Sequence, residues 1–168
     1  QIDHLQVRFS TDNGDFDAVK DASLSIAPGE ILALVGESGS GKSVTSKALL
    51  QMLPDSAIEA GTVLLRSGDQ GLVDVHQLSA NELRKMRGVD AAMVFQEPAT
   101  ALNPVYKVGW QIAEGLRAHP ELCDGHKLTK DAARKKAIEI LGKVGIPDPE
   151  VRVDYYPHQF SGGQKQRI

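Results

Sequence analysis

Eight consecutive residues constrain this 168-residue chain more than any others: Gly36-Glu37-Ser38-Gly39-Ser40-Gly41-Lys42-Ser43 fits G-x-x-x-x-G-K-[ST] and directly follows the apolar run Ile31-Leu32-Ala33-Leu34-Val35. An apolar run without polar alternation, bounded by turn residues, predicts a strand over residues 31–35 that is buried on both faces. The glycines permit the positive φ angles that turn successive amides inward. A helix starting near Lys42 would aim its free N–H groups at the same point. Such an arrangement cradles a phosphate chain, with Lys42 reaching the β- and γ-phosphates and the Ser43 hydroxyl available to Mg²⁺. The plain alternative is a glycine-rich strand-to-helix turn with no ligand.

The flanking sequence supplies the rest of an α/β unit. Ile2, Leu5, Val7 and Phe9, then Val19, Leu24 and Ile26, predict two short strands over residues 2–9 and 18–26, joined by the polar turn Thr11-Asp12-Asn13-Gly14 as an antiparallel hairpin. The helix after the glycine loop should run to about Leu53, where Pro54 stops it. Glu59-Ala60-Gly61 reads as a break, and residues 62–65 as a hairpin arm or edge strand before the turn-rich Ser67-Gly68-Asp69-Gln70-Gly71. Ser79-Ala80-Asn81-Glu82 has the S-x-x-E pattern of a capping box and opens a short basic helix through Arg87, which Gly88 can end. Ala91-Ala92-Met93-Val94-Phe95 is the second candidate for a buried strand. From about Pro98 the character changes. Residues 108–119 and 129–144 read as helices, the second with Ala133, Ala137, Ile140, Leu141 and Val144 on one face and Gly145 as its stop. Residues 98–157 therefore look like a helical insertion. At its start Tyr106 and Trp110 are assigned to the core in preference to a groove for a partner helix.

Composition narrows the chemistry. With 41% apolar and 24% charged residues the usage is that of a globular domain. A net charge of −3 argues against a broad nucleic-acid surface, so no nucleic-acid partner is expected. Cys123 is the single cysteine, which excludes an intramolecular disulfide and a cysteine metal cluster and suits a reducing compartment such as the cytoplasm. His4, His76, His119, His126 and His158 share no helical or i, i+2 spacing, so surface or capping roles are preferred to a zinc site. No stretch reaches the roughly 20 apolar residues of a bilayer span, and no leader is read at the N-terminus.

Two further motifs stand beyond the glycine loop. Val94-Phe95-Gln96-Glu97-Pro98 places a neutral amide directly after a predicted strand, where its carbonyl can meet Mg²⁺ or a bound water without repelling phosphate. Phe160-Ser161-Gly162-Gly163-Gln164 precedes Lys165-Gln166-Arg167 and opens a helix with a serine hydroxyl and bare glycine amides. With the glycine loop, in this order and spacing, these motifs resemble the ATP-binding cassette (ABC) family. In its terms residues 36–43 match the Walker A loop, Gln96 the Q-loop glutamine, and residues 160–164 the LSGGQ signature with phenylalanine in place of leucine. Leu102-Asn103-Pro104-Val105, Tyr156-Pro157-His158-Gln159 and the Glu37-containing loop look like the ATPase subunits of peptide and nickel importers.

The resemblance implies an α/β, P-loop NTPase fold of the ABC type with an antiparallel β subdomain. About residues 1–97 would be the RecA-like core with that subdomain, and about 98–168 the helical subdomain carrying the signature. It implies ATP and Mg²⁺ as ligands, held by Gly36, Glu37, Ser38, Gly39, Ser40, Gly41, Lys42, Ser43, Val44 and Gln96, with Ser43 and Gln96 toward the metal and Lys42 and Gln96 toward the chemistry. Adenine would stack on Phe9, with Phe16 as competitor; either ring could instead be core. Ser161, Gly162, Gly163 and Gln164 would act in trans on the nucleotide of a second cassette subunit, the same or different, and membrane permease subunits would hold the pair at the inner face of the cell membrane. The family's Walker B strand, catalytic glutamate and switch histidine are not found; the chain looks like the N-terminal part of a cassette, its C-terminal half absent. The function implied is ATP-driven uptake of peptides or a similar small solute. The alternatives are a cassette ATPase of a non-transport complex, and a nucleotide-binding fragment without turnover.

Overall fold

A computed structural model describes residues 1–12, 14–95, 101–123 and 125–168, which form two compact units, Gln1–Ala91 and Ala92–Ile168. The first unit is built on an antiparallel sheet in the order β2-β1-β3-β4, with β1 at Ile2–Thr11, β2 at Gly14–Leu24, β3 at Ala57–Ser67 and β4 at Gly71–Asp74. The expected hairpin is present, closed where Thr11 pairs with Gly14 and donates its hydroxyl to the Gly14 carbonyl at 2.7 Å. Ile2, Leu5 and Val7 are buried, although a spacing of three followed by two breaks the alternation of a regular strand. The register shifts between Ile2 and Leu5, and His4 within that interval has φ +50°, so a bulge returns Leu5 to the inner face.

That bulge explains why β3 is longer than the sequence predicts. Gly61 has φ +97°, and a Cβ there would lie 2.4 Å from the His4 carbonyl oxygen. The glycine read as a break is the one residue type that lets β3 run past the bulge. β3 therefore spans 11 residues, pairs with both β1 and β4, and is an interior strand instead of an edge.

Helix α1, Lys42–Ala48, packs Ala48 into the cluster of Ile2, Leu5, Val7, Val19, Val63, Val75 and Met86. It ends five residues before the expected Leu53. The carbonyls of the turn that follows it are taken by Arg87, which donates from Nε to Leu50 O at 2.8 Å and from Nη2 to Gln51 O at 2.6 Å. Arg87 follows α2, Ala80–Met86, whose Ser79–Glu82 capping box forms as predicted. Hydrogen bonds from a charged donor to half-buried carbonyls contribute about 2 kcal/mol net. Arg87→Ala should therefore lower the urea midpoint of this unit, with Arg87→Lys recovering part of the loss.

Two predicted buried strands are not there. Residues 31–35 form no strand, with Ile31 96% and Val35 85% exposed. Ala91 forms a single parallel bridge to Arg87, while residues 92–95 are irregular and Val94 is 97% exposed. A strand exists by its pairing, and a run suited to burial on both faces needs neighbours on both edges. Among the described residues no strand lies beside either run.

The second unit contains α3 (Val108–Ala118), α4 (Lys130–Lys143), and the short α5 (Pro149–Arg152) and α6 (Gly162–Lys165). Thr129 caps α4 by accepting from the Ala132 amide, and Ala133, Ala137 and Leu141 face inward as the periodicity requires. Val108, Ile146, Val153 and Phe160 complete the core with Ala137 and Leu141. Tyr106 and Trp110 correct the sequence reading: their rings stack on each other at 4.5 Å and Trp110 is 52% exposed, so neither is core. Asp154 bridges Lys107, at 3.3 Å, and Arg134. The hydrogen bond from Arg134, aided by that from Lys107, holds the Asp154 carboxyl below its ordinary range. Because the folded value lies below the unfolded one, this stabilisation is complete above the ordinary carboxylate pKa of about 4 and is lost as pH falls through the depressed value. The group is half exposed, so Asp154→Asn should cost less than about 1 kcal/mol near neutrality. Chemical denaturation at neutral and strongly acid pH should show that difference vanishing in acid.

Candidate functional site

The glycine loop leads directly into α1. Gly41 is the residue before the helix, with φ +87°, and a Cβ on it would lie 2.6 Å from the Ala18 carbonyl oxygen of β2. Any other residue here meets both an unfavourable backbone angle and a wall. Gly39 also has positive φ, +81°. The loop is pinned at one end by the Thr45 amide, which donates to Gly41 O at 2.8 Å, and turned at its middle by the Ser40 amide on Glu37 O at 3.3 Å.

Lys42 folds back over this loop. Its ammonium donates to Gly36 O at 2.8 Å, Glu37 O at 2.6 Å and Ser40 Oγ at 3.1 Å. One cation therefore stands at the centre of residues 36–40, held among the described residues by neutral acceptors. Oxygens of an anion can replace them with a large electrostatic gain. Ser38, Gly39 and Ser43 are exposed, and the Ser43 hydroxyl makes no hydrogen bond among the described residues, so it is open to a hard cation beside the anion. Val44, one residue on, is half-buried against the core and anchors the first helical turn. These residues fit Mg²⁺ as a phosphate-bound ion with one protein hydroxyl. Among the described residues no group of three or more histidine, cysteine, aspartate or glutamate side chains is arranged to hold a metal by itself.

Phe9 and Phe16 pair across the hairpin and stack with centroids 5.4 Å apart and planes 23° apart. Phe9 is partly buried against the core, whereas Phe16 is 54% exposed. The stack thus presents the Phe16 ring to solvent and sets Phe9 behind it. Gln96, with Glu97 and Pro98, lies outside the described residues.

In the second unit Ser161 caps α6. Its Oγ accepts from the Gln164 amide at 3.3 Å, and the Gln164 carboxamide accepts from the Ser161 amide at 3.0 Å. Gly162 and Gly163 are exposed, with no atom within 4 Å of a Cβ built on either. Phe160 is buried, so the position where leucine was expected serves as an apolar anchor. Sequence reasoning missed Arg87 and Arg167, because an arginine that bonds carbonyls of a distant turn leaves no local pattern. Among the described residues no helix is long and apolar enough to cross a membrane.

A family model described as ABC transporter matches residues 19–168. A peptide import ATP-binding protein of Brucella abortus is 46% identical over 168 residues, covering all of this chain and 48% of that protein. The dipeptide transport ATP-binding protein DppD of Bacillus subtilis is 44% identical over 169 residues, covering 99% of this chain and 47% of its own. The chain spans about half the length of the curated relatives it matches. Among solved structures, a dimeric post-hydrolysis state of the ATP-binding cassette MJ0796 bound to ADP and Pi superposes with a TM-score of 0.73 at 23% identity, covering 99% of this chain and 65% of that one. At that identity the likeness speaks for the fold.

Proposed function

The chain belongs to the ABC transporter family, and from that membership we propose that it carries the ATP-binding half of a cassette ATPase that drives uptake of peptides or a similar small solute. The observation that supports this best is the Lys42 ammonium, centred on a glycine loop with an exposed serine beside it. ATP places its β- and γ-phosphates on Lys42 and on the amides of the loop and first helical turn, and its adenine on the exposed Phe16 ring backed by Phe9. Mg²⁺, when bound, would neutralise charge between the phosphates, with Ser43 and Gln96 as its protein ligands.

The substrate class comes from the relatives' names, which refer to peptide import and dipeptide transport. As in the dimeric cassette it resembles in fold, a second subunit would face this one. Ser161, Gly162, Gly163 and Gln164 would then approach the γ-phosphate held by the partner's loop. Permease subunits would carry the pair at the cytoplasmic face of the membrane and choose the solute.

Titration calorimetry with ATP and Mg²⁺ tests the reading on this chain. Binding is expected without steady phosphate release, because orienting the attacking water needs a positioned residue and none is assigned here. No binding heat with a folded protein would defeat the proposal. Steady release above a Lys42→Ala control would show that the chain is a complete catalyst.

A further inference from the structure

Helix α6, Gly162–Lys165, opens on the capping box of Ser161 and Gln164. Two things hold it: the buried Phe160 on one side and Arg167 on the other. The Arg167 guanidinium donates from Nε to Gly163 O at 3.3 Å, and from Nη1 to Val144 O at 3.0 Å and Gly145 O at 2.7 Å. Val144 and Gly145 close the C-terminus of α4, where carbonyls lack helical partners and a cation meets the negative end of the helix dipole. α4 is itself fixed by the buried Ala133, Ala137 and Leu141. Gly145 has φ +72°, and a Cβ there would lie 2.8 Å from Arg167 Nη1, so its lack of a side chain makes room for the arginine.

We propose that Arg167 is a positioning residue for the signature turn, its planar fork fixing residues 161–164 against the end of α4 and so setting where the Ser161 hydroxyl and the glycine amides point. The proposal rests on the reading that residues 160–164 act on nucleotide. Lysine cannot take the role: one compact ammonium on a flexible stem does not hold three carbonyls on two elements at a fixed separation.

Amide hydrogen exchange on this chain tests the geometry. The Gln164 and Lys165 amides, which donate to Ser161 Oγ and Ser161 O, report the turn, and the Leu141 amide reports α4. Arg167→Lys retains the charge and should speed exchange at Gln164 and Lys165 about tenfold while leaving Leu141 unchanged. Gly145→Ala, which leaves Arg167 unchanged but puts a Cβ 2.8 Å from its Nη1, should move the same two amides. Unchanged exchange at Gln164, or equal acceleration at Gln164 and Leu141, would overturn the proposal. In a cassette of the relatives' full length, Arg167→Lys should lower kcat about tenfold with the KM for ATP kept within about twofold. A raised KM with kcat intact would also overturn it. If the unsubstituted cassette shows no ATPase activity, the functional reading fails, and the exchange result alone decides the role of Arg167.

Discussion

Replacing Lys42 with alanine should weaken ATP binding about a hundredfold, the equivalent of about 2.7 kcal/mol, a typical loss for charge-assisted hydrogen bonds to phosphate. The structure gives the lysine two roles that this substitution removes together. Its ammonium bonds the carbonyls of Gly36 and Glu37, so the loop loses its internal tie, and the cation that would meet the phosphates is gone. Lys42→Arg separates the roles. The charge remains, but a planar guanidinium cannot converge on the three acceptors that surround a compact ammonium, so affinity should fall between those of the other two proteins. Calorimetry with the three proteins at one ionic strength gives the ranking. Equal affinities for wild type and Lys42→Ala would remove the loop from the nucleotide site.

The largest effect on stability should come from Gly109→Val. A Cβ on Gly109 would lie 2.1 Å from Val153 Cγ2 and 2.5 Å from the Val153 carbonyl oxygen, which accepts a hydrogen bond from the Gly109 amide at 2.9 Å. The wall is partly backbone, and the clash would push α3 away from the segment that also bonds Val108 to Tyr155. Overpacking combined with broken backbone bonds belongs to the exceptional class of substitutions, costing about 4 kcal/mol or more. Gly115 lies in the same helix with nothing within 4 Å of its own Cβ position, and Gly115→Ala should instead stabilise by about 0.5–1 kcal/mol through helix propensity. Thermal melts followed by helical circular dichroism should move in opposite directions for the two variants. A Gly109→Val melt as high as wild type would mean that α3 is not seated on Val153.

The elements legible in the sequence were those whose signals are local. Thr11 to Gly14 marked the hairpin, Ser79 and Glu82 the cap of α2, and Thr129 with Gly145 both ends of α4, because each depends on hydrogen bonds or periodicity within a few residues. The glycine loop was legible for the same reason. What escaped depends on partners far away in the sequence. Gly61 looked like a turn because the bulge it faces, at His4, lies far earlier in the chain. Residues 31–35 looked like a buried strand because their composition suits one, yet composition cannot supply the neighbouring strands. Trp110 was placed inside on hydrophobicity, but an indole stacked on Tyr106 can lie half in water. Arg167 passed unnoticed because two of its three acceptors belong to a helix end more than 20 residues away.

In this 168-residue chain the exposed run at residues 31–35 is also a segment through which copies could associate. Five successive apolar residues with a β-branched residue at each end, Ile31 and Val35, and no proline, make a stretch that can template strand addition between copies. Glu30 stands immediately before the run and Glu37 two residues after it. They are spaced so that parallel in-register stacking would set like charges on like charges at both margins, the placement expected of gatekeepers. Replacing Glu30 and Glu37 together with glutamine should therefore lower solubility at neutral pH, even while the hairpin and the helical unit remain folded. Glu37, within the glycine loop, would thereby oppose self-association through the segment beside it.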